Sequence, residues 1–314
     1  MTDTLPDLLT PLLARRRSSE PISCAVVHPC DPESIAGAVE AVTHGLISPV
    51  LVGPQHKINA AAEAAKLDIS SYRRIDTKHS HAAAAAAVAA ARAGEVAGLM
   101  KGSLHTDELM EAVVAADGLR TARRASHVFV MSIPAYARLL LITDAAINIA
   151  PNLEAKQDIA QNAIDLGLIL GISQPRLAVL SAVETINPKM QSTLDAAALC
   201  KMADRGQILG GLIDGPLAFD NAISPEAAAS KGIASQVAGR ADILLVPDLE
   251  SGNMLAKQLT YFANAASAGI VLGCRVPIAL TSRADSRAAR LASAAVMVLV
   301  AEARVSQASA AINA

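Results

Sequence analysis

Short, uninterrupted apolar runs alternate along this chain with longer stretches in which apolar positions recur every three or four residues. The first pattern is that of a buried strand and the second that of an amphipathic helix. Strands are expected at 22–28, 49–53, 96–100, 127–133, 139–142, 176–181, 208–215, 242–246, 270–273 and 277–280, with a weaker one at 72–77. Helices are expected at 5–17, 33–44, 55–66, 80–93, 154–170, 190–204, 225–236 and 254–266. One more follows the 96–100 strand to about 117, and a last one runs to about 301. Most strands are apolar throughout rather than alternating, the mark of a parallel sheet covered on both faces. Pro134-Ala135-Tyr136 reads as the start of a crossover. No repeat or low-complexity linker divides the chain, so a domain split falls at ordinary connectors near Pro134 and Gly269. That gives a first α/β domain of 1–133 plus 269–314 and a second of 134–268.

Composition narrows the class. The 314 residues suit two domains of about 150 residues each. The chain is 52% hydrophobic, largely through alanine, and only 2% aromatic. Its 27 basic and 29 acidic residues leave a net charge of −2, which argues against nucleic acid or a membrane surface as partner. Cys24, Cys30, Cys200 and Cys274 have neither zinc-ribbon nor redox-pair spacing, and suit free thiols in a reducing cytoplasm. Asp3 and Asp7 precede an Arg15-Arg16-Arg17 run with no apolar h-region, unlike a signal peptide. The arginines read as a solvated helix end, and no stretch reaches the length needed to span a bilayer.

Polar residues that close an apolar run and open a helix are the places to look for chemistry, because a helix N-terminus favours anions. The stretch from Pro277 to Arg287 has this form, with Arg283 as a planar cation and Ser282 as a small donor and acceptor. Ser282 and Asp285 also stand at capping-box spacing, so a structural reading stays open beside the anion site. A second corner runs Lys101-Gly102-Ser103-Leu104-His105-Thr106-Asp107. Asp144 and Asn148 interrupt an apolar run and need partners, so they are either buried and satisfied or face a cleft. Asp214 and Asp220 follow another strand and read equally as acid–base groups or as turn formers.

Five ordered motifs resemble the phosphate acetyl/butyryltransferase family: LMKGSLHTDELM (99–110), SHVFVMSIPAYARLLLITDAAINIAP (126–151), DGPLAFDNA (214–222), VPDLESGNMLAKQL (246–259) and PIALTSRADS (277–286). The resemblance spans about 23–301 and is closer to the butyryltransferase branch. It implies an isocitrate/isopropylmalate-dehydrogenase-like fold of two α/β domains with a cleft, and a homodimer. It also implies acyl-CoA + phosphate = acyl phosphate + CoA by direct transfer in a ternary complex, with coenzyme A as substrate, no cofactor and no metal. Carried onto this sequence, it makes Ser282 the donor to the oxyanion or sulfur. Substrate contacts fall to Arg283, Lys101, Ser103, Thr281, Asp214 and Asn253. The acetyltransferase branch has an aspartate seven residues after the serine, taken as base for the thiol; here that position is Ala289. Asp285 and His105 are the alternative bases.

Two other readings compete. Ala289 motivates a non-catalytic CoA- or phosphate-binding regulatory paralogue. A metal- and NAD-dependent decarboxylating dehydrogenase would need an aspartate cluster, for which Asp144, Asp214 and Asp220 are the candidates.

Overall fold

The structure, a computed structural model, describes residues 7–282 and 285–312. Elements run α1 (Leu9–Leu13), β1 (Ile22–Val27), α2 (Pro32–Thr43), β2 (Ile47–Gly53), α3 (Gln55–Ala65), β3 (Arg73–Asp76), α4 (Ser80–Arg92), β4 (Gly98–Lys101) and α5 (Thr106–Val114). Then come β5 (Ser126–Ile133), β6 (Tyr136–Thr143), α6 (Leu153–Ile169), β7 (Arg176–Leu180), α7 (Gln191–Asp204), β8 (Leu212–Leu217), α8 (Phe219–Ile223) and α9 (Pro225–Ser230). The chain closes with β9 (Ile243–Leu245), α10 (Leu249–Phe262), β10 (Ala266–Leu272), β11 (Ile278–Ala279) and α11 (Arg287–Ile312). The α/β class expected from the apolar runs is found.

Two compact units result. One holds Leu8–Ala125 and the chain from Ala268 onward; the other holds Ser126–Ser267. In the first, strands lie in the order β3-β2-β1-β4-β11-β10, parallel from β3 to β11, with β10 antiparallel to β11. Register brings Val27 beside Lys101 and Ala279 beside Met100, so β1, β4 and β11 end on one edge. α11 is buried on nearly every side along 291–301, which its alanines permit by letting neighbours approach closely.

In the second unit the order is β5-β6-β9-β7-β8. Here the crossover expected at Pro134 is absent: β5 and β6 form an antiparallel hairpin in which Ile133 pairs with Tyr136. Pro134 and Ala135 are too few residues for a crossover but enough for a hairpin turn. The strand pairs on the far side of β6 are parallel, as the apolar runs predict.

The arginine run near the amino end is not merely solvated. Arg16 donates from Nε to Glu302 Oε1 at 3.2 Å and from its terminal nitrogens to Gly45 O and Glu20 O, and so fastens the segment after α1 to α11.

Candidate active site

Three loops meet at the carboxyl edge of the first unit: 28–31 after β1, 102–105 after β4 and, after β11, the described residues 280–282 and 285–286. Ligands gather at such edges because helix starts and loop N–H groups face outward there. Gly102 is what lets the second loop lie on the first. Its N–H donates to Val27 O at 2.9 Å, and a Cβ at that position would stand 2.5 Å from the same oxygen.

Ser103 is the hub. Its Oγ donates to His28 O at 2.8 Å and accepts from Cys30 N at 3.2 Å, with His28 Nδ1 at 3.1 Å. The one hydroxyl proton is committed to the carbonyl, so His28 Nδ1 must donate, which leaves Nε2 as the unprotonated nitrogen of the neutral ring. Burial, helped by Lys57, holds the His28 imidazole below its ordinary value. Burial also pushes the neighbouring Cys30 thiol up to about 11, so it is not a thiolate at neutral pH.

Lys101 is 3% exposed at the end of β4 and donates from Nζ to Thr281 O at 3.3 Å. Thr281 is itself buried, and its Oγ1 accepts from a terminal nitrogen of Arg290 at 3.2 Å. The other terminal nitrogen of Arg290 donates to Ser282 O at 3.0 Å. Ser282 is exposed, and Asp285 is half-buried in the same turn. A cavity of about 370 Å³ opens here, lined by Asp31, Glu33, Ser103 and Arg290. At its side Arg287 pairs with Glu33 at 3.2 Å and holds that carboxyl below the usual range.

The capping-box reading of Ser282 is corrected. α11 begins at Arg287, and Ser286 caps it, with Oγ accepting from Ala289 N at 3.2 Å. The Asp285 carboxylate instead accepts from Ser282 N at 2.7 Å, while Asp285 N donates to Ser282 O at 3.2 Å. This closes a turn of its own ahead of the helix. Arg283 lies outside the described residues.

Of the sequence candidates, Lys101, Ser103, Thr281, Ser282 and Asp285 come together at this edge. His105 is exposed at the start of α5, where it precedes the first helical turn without capping it. Asp214 and Asn253 belong to the other unit. Asp214 sits within β8 and not after a strand as expected, its Oδ1 accepting from Gly215 N at 2.8 Å, and Asn253 Nδ2 donates to Ala145 O at 3.2 Å. Asp144 and Asn148 prove to be buried and mutually satisfied. Asp144 accepts from Ala146 N, Ile147 N and Asn148 N, and from Asn148 Nδ2 at 2.6 Å. Among the described residues no three His, Cys, Asp or Glu side chains gather as a metal ion would need.

His28 and Arg290 were missed from the sequence. His28 does close an apolar run before a helix, the same signature as the other two corners, so pattern alone was enough to flag it. Arg290 had no such signal, since an arginine in a helical stretch reads as a surface residue until packing buries it.

The family profile described as "Phosphate acetyl/butaryl transferase" matches residues 78–298. The chain is 60% identical over 294 residues to the phosphate acetyltransferase of Rhizobium meliloti, covering 93% of each. It is 44% identical over 279 residues to the probable phosphate butyryltransferase of Bacillus subtilis (strain 168), covering 88% of this chain and 93% of that one. Identity therefore runs higher to an acetyl-named relative, which corrects the expectation of a chain closer to the butyryltransferase branch. Among solved structures it is similar to a branched-chain phosphotransacylase from Enterococcus faecalis V583, with TM-score 0.77, 29% identity and coverage of 89% and 99%. With the motifs at 99–110 and 277–286 brought to one sheet edge and likeness along nearly its whole length, the chain belongs to the phosphate acetyl/butyryltransferase family.

Proposed function

We propose that this chain catalyses acyl-CoA + phosphate = acyl phosphate + CoA, by direct transfer in a ternary complex. The observation that carries the reading is the meeting of Lys101, Ser103, Thr281, Ser282 and Asp285 at the carboxyl edge of β4 and β11, in a chain of this family. A phosphate oxygen attacks the thioester carbon, the C–O bond forms, and the C–S bond breaks as the thiolate leaves and takes up a proton. The exposed Ser282 hydroxyl is the donor for the oxyanion or the sulfur, and Arg283 and Lys101 bind the anionic groups. Asp285, in the turn that carries Ser282, is the better placed of the two candidate bases; His105 is the other. Asp214 and Asn253 are further substrate contacts. Coenzyme A is a substrate, and the chemistry asks for no resident cofactor or metal.

The reading brings with it two domains of the isocitrate/isopropylmalate-dehydrogenase type, supported by a chain that leaves its first unit after residue 125 and returns to it at 268. It also brings a homodimer. α10 leaves Tyr261 70% and Phe262 88% exposed, apolar area that a second copy would cover. No described helix is long and apolar enough to cross a membrane, and four free cysteines suit the cytoplasm, where we place the protein.

The test is a kcat/KM series with acetyl-, propionyl-, butyryl- and longer acyl-CoAs and phosphate, read as thiol release. We expect turnover with short-chain donors, acetyl-CoA first because the 60% identical relative is named a phosphate acetyltransferase. Absence of turnover with all of them overturns the reading. Calorimetric binding of CoA in that case would favour the regulatory paralogue that Ala289 suggests.

A further inference from the structure

The segment Thr281–Ser282 is held by two buried cations, Lys101 on the Thr281 carbonyl and Arg290 on the Thr281 hydroxyl and Ser282 carbonyl. Arg290 is only 3% exposed and so cannot re-aim its guanidinium without repacking. Its stem lies over Gly37 of α2: a Cβ there would meet Arg290 Cδ at 3.2 Å and Cβ at 3.5 Å. The chain thus uses a residue with no side chain to seat the stem, and the fork of Arg290 to fix the backbone on which the Ser282 hydroxyl is mounted. A planar guanidinium presents its two terminal nitrogens in a rigid fork, so both acceptors are held in one fixed geometry.

We infer that Arg290 is a positioning residue for acyl transfer, acting through Ser282, and that Gly37 is the seat that sets its placement. This rests on the acyltransferase reading. Arg290→Met keeps the stem and removes the fork. It is expected to lower kcat about 100-fold, the loss typical of a misplaced catalytic group, with KM for acyl-CoA within about twofold and Tm close to the parent's. Arg290→Lys retains charge but not the fork, and should recover only part of that loss.

Gly37→Ala gives an independent handle, because alanine favours the helix while its methyl pushes the guanidinium aside by a few tenths of an ångström. It should lower kcat about tenfold, a fraction of the cost of full misplacement, while helix propensity and the repacking of Arg290 act on Tm in opposite senses. In the Arg290→Met background the same alanine should change kcat by less than about twofold, since its target is gone. Simple multiplication of the two losses overturns the inference, as does an equal rise in KM that leaves kcat intact. Should Arg290→Met fail to fold, Gly37→Ala decides alone, and parental kcat at native Tm overturns the proposal. A parent protein without any turnover overturns the acyltransferase reading and this inference together.

Discussion

Ser282 and Ser286 stand four residues apart and serve different ends. Ser286 accepts the Ala289 N–H and caps α11, which starts at Arg287; Ser282 stands in the turn ahead of it. Ser282→Ala is therefore expected to leave Tm nearly unchanged, whereas loss of a helix cap costs about 1 kcal/mol. Turnover should fall roughly 10²–10³-fold if the hydroxyl stabilises the oxyanion. Thermal melts and steady-state rates on the same preparation separate the two. A second residue-scale case is His127, fully buried on β5 with its ring 4.4 Å from that of Phe129 and neither ring nitrogen hydrogen-bonded. Burial lowers its imidazole from 6.5 to about 4, against a smaller opposing pull from Asp144. The unfolded chain thus takes the proton first. This contribution to stability is at full value above pH 6.5, declines as pH falls towards 4, and levels off below. The loss is on the order of 3 kcal/mol. His127→Phe should flatten the dependence of Tm on pH between 6.5 and 4 and cost nothing at pH 7.5; an unchanged slope would count against it.

Between elements, polar groups decide how helices dock. Lys156 of α6 and Asp195 of α7 form a 2.6 Å ion pair with both side chains 6% exposed. Removing one partner of such a pair strands a buried charge, so Lys156→Met should destabilise by about 3–5 kcal/mol. Replacing both, as Lys156→Met with Asp195→Leu, should return most of that, because the desolvation cost disappears with the charges. Urea midpoints of the three variants provide the check. These contacts also mark where the sequence misled. Its apolar periods located most of the strands and helices, including the weak run at 73–76. They did not show that Pro134-Ala135 turns a hairpin, since an apolar run looks alike in parallel and antiparallel pairs.

At the scale of the molecule, the chain makes two α/β units and returns to the first with its longest helix. The exposed Tyr261 and Phe262 at the end of α10 place two adjacent large apolar side chains on the surface of the unit holding Ser126–Ser267. If they serve self-association, light scattering should give twice the 32.2 kDa chain mass, and Phe262→Asp should shift that mass towards the single chain. A parent mass of 32.2 kDa at micromolar concentration would rule this out.

By itself the sequence determined the class of fold, the family and the two loops that carry Lys101 and Ser282, because apolar period and ordered motifs are local properties of the chain. Tertiary structure alone decided which of those residues meet. It brought Ser103 to His28 and buried Arg290 against Gly37, and it left Asp214 and Asn253 in a separate unit. Register and close packing join residues far apart in the chain, and no local pattern encodes that meeting.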